Sequence, residues 1–333
     1  MKNSIFVIAG LALFLIIVSV VSSCKQAAQR TTSGVKTIIS VPEFNADSAC
    51  HYTAAQVAFG PRVPNTPAHI ACGNYLAAEL KRFGAEVIEQ EATLQTYDNQ
   101  PIHAKNIIAS FNPDNSQRIL LCAHWDSRPF ADHDANPANH RKPISGANDG
   151  AGACGALLEI ARQVGIALPS VGIDIILFDA EDWGTPDFDQ RKYGSTGWCL
   201  GSSYWAQHPH IHNYKAKYGI LLDMVGAPEA RFYKEYYSVQ YAGKIVNKVW
   251  ETARALGYND YFINQKGTGV TDDHVEVFTY RKIPCIDIIQ SDPRSATGFG
   301  DYWHTLNDTM DNVNKETLKA VGQTVLYVVY NEN

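Results

Sequence analysis

A chain of 333 residues, 45% hydrophobic and 19% charged, carries enough apolar material for one large α/β domain or two small ones. Its formal net charge of -6, with no run or stripe of Lys and Arg, argues against a nucleic-acid partner. Six Trp, 17 Tyr and 13 Phe are generous for a core alone and leave rings for the wall of a pocket.

The N-terminus reads as a targeting segment rather than part of the fold. Lys2 precedes an apolar run from Ile5 to Val21, and Val21-Ser22-Ser23-Cys24 has the pattern of a bacterial lipoprotein signal. Residues 1–23 are then a signal peptide and Cys24 the lipidated first residue, with an uncleaved anchor helix as the alternative. Both readings place the domain outside the cytoplasm, and the lipoprotein reading ties it to a membrane of the bacterial cell envelope, facing the periplasm. Residues 24–41 are polar and small and read as a tether, leaving 42–333 as the domain itself. The other six Cys form no C-x-x-C pair, which argues against a thiolate zinc site. Cys122, Cys154 and Cys285 stand in apolar stretches and read as small buried hydrophobes.

Helices are expected over Asp47–Phe59, stopped by Gly60-Pro61, and over Thr66–Phe83, stopped by Gly84. A strand follows at Glu86–Thr96. Short, nearly continuous apolar runs then recur at Ile107–Phe111, Ile119–Ala123, Ile173–Phe178, Ile220–Leu222 and Ile283–Ile289, as strands buried on both faces require. Between and after them lie helical patterns at Ala151–Val164, Gly201–Gln207, Val239–Leu256 and Lys315–Tyr330. The alternation predicts a single α/β domain whose central, mostly parallel mixed sheet carries helices on both faces. The stretch Phe130–Lys142, rich in Asp, Asn, His and Pro, reads as plain surface. Without coiled-coil heptads, the chain is expected to be a monomer.

Parallel sheets collect function at the carboxyl ends of their strands. Here those ends carry His124-Trp125-Asp126, Asp179-Ala180-Glu181-Asp182, Asp223, and, beyond the last strand, Trp303-His304-Thr305; Asp149 stands just before a helix. Singly, each has an ordinary explanation: Asp149 a helix cap, Asp223 a turn, His304 a surface histidine, Asp126 a partner that orients His124. Together they converge on one sheet edge, where a cation would offset the cost of gathering carboxylates. Carboxylate and imidazole without thiolate suit a hydrolytic type of zinc site. In the adjacent pair Glu181-Asp182, one residue can bind metal while the other acts as a general base.

The order His124-x-Asp126, Asp149, Glu181-Asp182, Asp223, Trp303-His304-Thr305 resembles the zinc aminopeptidase superfamily (M28-like). Within it the chain looks most like the animal-type glutaminyl-peptide cyclotransferases, or glutaminyl cyclases. Three features favour that branch: the insertion Gly184–Lys192 before Tyr193-Gly194-Ser195, the segment Leu221-Leu-Asp-Met-Val-Gly-Ala-Pro228, and Thr271-Asp272-Asp273-His274. The resemblance implies that Asp149, Asp182 and His304 bind one zinc. It makes Glu181 the general acid/base, with Asp223 and Asp272 hydrogen-bonding near it. Trp183, Phe299 and Trp303 would wall a small pocket, whereas Trp125 and Trp205 are left as packing. His124 and Asp126 would orient the site or help to hold a second metal. The chain departs from the family pattern at Asp182, where Glu is frequent, at Asp287, where animal enzymes carry His, and at Ala123, where they carry Cys.

The activity implied is conversion of N-terminal Gln of peptides and proteins to pyroglutamate with release of ammonia. The rival is a di-zinc aminopeptidase, because His124, Asp149, Asp182, Asp223 and His304 fill all five ligand positions of the superfamily. A non-catalytic binding lipoprotein is the third alternative, and the intact Glu181 argues against it.

Overall fold

The computed structural model describes residues 40–191, 196–292 and 295–332. The signal peptide, Cys24 and nearly all of the tether, like Tyr193-Gly194-Ser195, lie outside the described residues. Among those described, no helix is long and apolar enough to cross a membrane.

The described chain runs α1 (Ala46–Val57), α2 (Pro67–Arg82), β1 (Glu86–Gln95), β2 (Pro101–Phe111), β3 (Arg118–His124), a π-helical turn at Ala147–Gly152 and α3 (Ala153–Ile166). It continues through β4 (Gly172–Phe178), α4 (Leu200–Gln207), β5 (Gly219–Asp223), β6 (Phe232–Lys234) and α5 (Tyr236–Ala255). β7 (Phe262–Lys266), α6 (Asp273–Arg281), β8 (Cys285–Ile289) and α7 (Lys315–Tyr330) complete it. Local chemistry sets several of the ends. Asn45 accepts from the amide of Ser48 to open α1, and Thr66 accepts from that of His69, with Pro67 following, to open α2. Gly84, at φ 91°, lets the chain turn sharply from α2 into β1.

The main sheet has the order β1-β2-β4-β3-β5-β8. β4, β3, β5 and β8 are parallel neighbours, and β2 and β1 extend the sheet antiparallel. The sheet is therefore mixed, as expected. β2 is longer than its apolar run because Pro101–Asn106 pair with β1 beyond the edge of β4. Every residue of β3, β4, β5 and β8 is buried. On one face, Leu120, Cys122, Ile176 and Phe178 pack with Trp205 of α4 and Val277 of α6. Helices α1, α3 and α7 pack on one another as a second group. Cys122, Cys154 and Cys285 are buried free thiols, and Trp205 is a core residue.

Three elements differ from expectation. The first turn of the Ala151–Val164 pattern is not α-helical: Asp149 and Gly150 leave helical geometry and the regular helix starts at Ala153. Helix α6 was not expected, because Val275, Val277 and Thr279 alternate as in a strand. The small parallel pair β6–β7 was also missed, being too short to carry a period.

Candidate active site

The carboxyl ends of β3, β4, β5 and β8 bring the polar residues together. β3 ends in His124, β4 passes through Asp179 into Glu181 and Asp182, and β5 ends in Asp223. Four non-glycine residues here occupy the left-handed region: Ala180 at φ 54°, Cys199 at φ 56°, Met224 at φ 47° and His304 at φ 54°. Such conformations persist where the surroundings hold them, and they cluster at functional sites.

Two groups of ligand-type side chains share Asp149. In the first, His304 Nε2 lies 3.3 Å from Asp182 Oδ1 and 3.6 Å from Asp149 Oδ2. In the second, His124 Nε2 lies 3.1 Å from Asp149 Oδ1 and 3.2 Å from Asp223 Oδ1. Asp149, Asp182, His124 and His304 are all nearly solvent-free. Asp149 Oδ2 and Asp182 Oδ2 are buried without a hydrogen-bond partner, a costly arrangement that a cation relieves. The separations in the first group approach the ~3.3 Å edge of a tetrahedron with ~2.0 Å metal–ligand bonds, and its oxygen and nitrogen donors fit zinc. Asp149 is thus no helix cap; its side chain meets the two imidazoles.

Neighbouring groups hold this set in place. Asp126 accepts the amides of Glu181 at 3.1 Å and Asp182 at 3.2 Å, and its Oδ1 lies 3.5 Å from His124 Nδ1. Asp308 accepts the amides of Asn148 at 2.8 Å and Asp149 at 3.1 Å. Arg128 donates to both oxygens of Asp132, at 2.8 and 2.6 Å, and to the carbonyl of Asp182 at 3.2 Å. Asp132 in turn lies 3.5 Å from His304 Nδ1. This buried ion pair therefore braces both Asp182 and His304. The Phe130–Lys142 stretch is not plain surface at its start: Ala131 and Asp132 are buried. The tight Arg128–Asp132 spacing, four residues apart, was the available signal.

Electrostatics separates the carboxylates. Burial, followed by the charge of Asp182, pushes Asp149 up to about 6. Burial, followed by Asp223, pushes Asp272 up to about 7. Burial, with Asp182 and then Asp272 adding, holds Glu181 well above the ordinary carboxylate range. Asp182 moves the other way: burial opposes it, but the charge and hydrogen bond of His304 hold it down.

A cavity of about 320 Å³ opens on this edge, walled by Glu181, Trp198, Asp272, Phe299, Trp303 and His304. Trp303 stacks on His304 at 3.8 Å between centroids, and Trp198 lies parallel to the same imidazole at 5.9 Å. Trp183 is not a wall. Successive side chains of an extended segment point to opposite sides, so Asp182 turns into the site and Trp183 turns away. Trp183 packs instead on Ile102, Ala104 and Ala180. Its expected place goes to Trp198, which reaches the cavity through an isolated antiparallel bridge to Asp182.

Comparison with known proteins agrees with this geometry. The signature of peptidase family M28 matches residues 106–329. The structure is similar to a Zn-dependent exopeptidase from Parabacteroides distasonis, at 60% identity over 88% of this chain and all of that one, with a TM-score of 0.87. It is also similar to Tannerella forsythia glutaminyl cyclase, at 58% identity over 88% of this chain and all of that one, with a TM-score of 0.86. A glutaminyl-peptide cyclotransferase from Bos taurus is 26% identical over 77% of this chain and 74% of its own length.

Proposed function

The chain belongs to peptidase family M28, and we propose that it is a zinc-dependent glutaminyl-peptide cyclotransferase acting on N-terminal Gln. The observation that carries this reading is Asp272 beside Glu181 on one aromatic-walled cavity: their ligand atoms lie within 4.8 Å. Asp272 adds negative charge at a carboxylate already desolvated, which suits a group that must both take and give a proton near neutral pH.

In this reading Asp149, Asp182 and His304 hold one zinc. Bound there, zinc supplies Lewis-acid polarisation of the substrate's γ-carbonyl. Glu181 accepts a proton as the α-amine closes on the carbonyl carbon (Cδ) of the side-chain γ-carboxamide, then returns one to the departing amide nitrogen, which leaves as ammonia. Asp272 helps to keep the proton affinity of Glu181 high, and Asp223 acts in turn on Asp272. Trp198, Phe299 and Trp303 confine the folded glutamine and exclude water, so ring closure competes well. The proposal takes one zinc, at the set whose Asp149 Oδ2 and Asp182 Oδ2 are buried without partners, and leaves His124, Asp149 and Asp223 as the second candidate set. The proposal extends to a monomeric domain over 42–333, tethered by residues 24–41 and anchored through Cys24 to a bacterial envelope membrane, facing the periplasm. Loss of fatty-acid labelling in Cys24→Ala would be the check on the anchor.

The test of activity pairs a Gln-initiated with a Leu-initiated peptide, read by mass beside zinc per chain. Loss of ammonia from the first, an untouched second and one zinc are expected. Free leucine with two zincs would overturn the proposal in favour of an aminopeptidase.

A further inference from the structure

Cys199 completes a third group of ligand-type atoms, distinct from the two that share Asp149. Its Sγ, with one oxygen each of Glu181 and Asp272, forms a set in which all atoms lie within 4.8 Å. The thiol donates to Glu181 Oε1 at 3.2 Å. The backbone fixes it there. Cys199 sits at φ 56°, its amide donates to the Glu181 carbonyl at 2.9 Å, and that of Leu200 to the Ala180 carbonyl at 3.1 Å. Asp272 Oδ1 is engaged by the amide of Asp273, but Asp272 Oδ2 is buried without a partner. Glu181 and Asp272 line the cavity, so a small cation has access to the set.

We propose that Cys199, Glu181 and Asp272 form a second, inhibitory metal site for a soft or borderline divalent cation, such as cadmium or excess zinc. The sulfur-to-oxygen separation of 3.2 Å is close to the ~3.5 Å edge of a tetrahedral site with one sulfur and one oxygen ligand. Thiolate with carboxylate also suits such ions better than calcium or magnesium. Binding breaks the S–H bond, forms the metal–sulfur bond and releases the proton to solvent; no electron is transferred. The corner otherwise favours the neutral thiol, through burial and then the charge of Glu181, and a divalent ion reverses that balance. A cation held here occupies the Glu181 carboxylate and stops proton transfer. The binding rests on geometry alone, whereas the inhibition rests on the role proposed for Glu181.

The experiment titrates cadmium chloride into the zinc-loaded enzyme. It follows the ultraviolet thiolate-to-cadmium charge-transfer band, the zinc retained per chain, and ammonia release from a Gln-initiated peptide. The band should saturate as the rate falls, with zinc retained. In Cys199→Ser the band should vanish and the inhibition constant should rise at least about tenfold. An unchanged band and inhibition in Cys199→Ser would overturn the site, as would release of zinc in step with inhibition. A Cys199-dependent band without inhibition would support the site and overturn the role given to Glu181. Should Cys199→Ser fail to fold, a cadmium-soaked crystal of the unsubstituted chain decides, read by anomalous scattering. Cadmium between Cys199 Sγ, Glu181 and Asp272 supports the site, and cadmium absent from that corner refutes it.

Discussion

Two buried His–Asp pairs in this molecule use the same residue types to opposite ends. His69 Nε2 meets the two oxygens of Asp179 at 3.0 and 2.8 Å, and the same carboxylate accepts the amides of Lys105 at 2.6 Å and Ala180 at 2.8 Å. Trp125 stacks on the imidazole at 4.4 Å. Around His304, by contrast, oxygens of Asp149 and Asp182 are left without partners. The cavity beside His69 is about 750 Å³, more than twice the 320 Å³ of the one beside His304. Cavity size and the unpartnered carboxylate oxygens of Asp149 and Asp182 therefore point to different places. A closed pair satisfies itself, and the open set is one that could hold a cation.

The comparison breaks if the two regions respond alike to substitution. The largest effect is expected from His304→Ala: metal and turnover should be lost together, read by metal analysis and ammonia release. Glu181→Gln should retain the metal yet lower kcat by about 10²–10⁴-fold, the range for a general acid/base. Asp132→Asn should weaken metal affinity or activity by about 10–100-fold, since it loosens the brace on His304 without removing a ligand. His69→Gln, at the closed pair, should leave metal content and KM unchanged and cost about 1–3 kcal/mol of stability in urea unfolding. Metal loss in that variant would erase the distinction drawn here.

The smallest effect concerns pH. Burial alone would raise Glu235, but its bonds with His274 and Ser238 hold it down to about 2, against an ordinary 4.5. A depressed carboxyl stabilises the fold above its unfolded value and loses that contribution as pH falls from about 4.5 towards 2. The melting temperature of Glu235→Gln should therefore converge with that of the unsubstituted chain across this acid range. A gap that stays constant down to pH 2 would refute the linkage.

Much of the site was legible because strand ends are legible. An apolar run stops where a strand stops, and the polar residues that follow, such as His124, Glu181-Asp182 and Asp223, must fall on one edge of a parallel sheet. Asp126 was likewise marked by its place at the end of β3, whereas Phe299 was marked only by the family resemblance. The misses share another cause. Trp183 and Trp198 are separated by an insertion, and only the bridge from Trp198 to Asp182 decides which ring enters the cavity. Asp132 looked like a loop residue because its partners, Arg128 and His304, come from before and far after it in the chain. Asp308, which fixes the amide of Asp149, carried no local signal.

The sequence by itself determined the order of most strands and helices, α6 and the β6–β7 pair excepted, the residues at the strand ends and the family they match, because these depend on local periodicity and spacing. Only the tertiary structure decided which carboxylates stay unpartnered, which tryptophan faces the cavity, and that the Cys199 thiol meets Glu181. Those outcomes depend on side-chain direction and on contacts between segments distant in sequence, which no local pattern encodes.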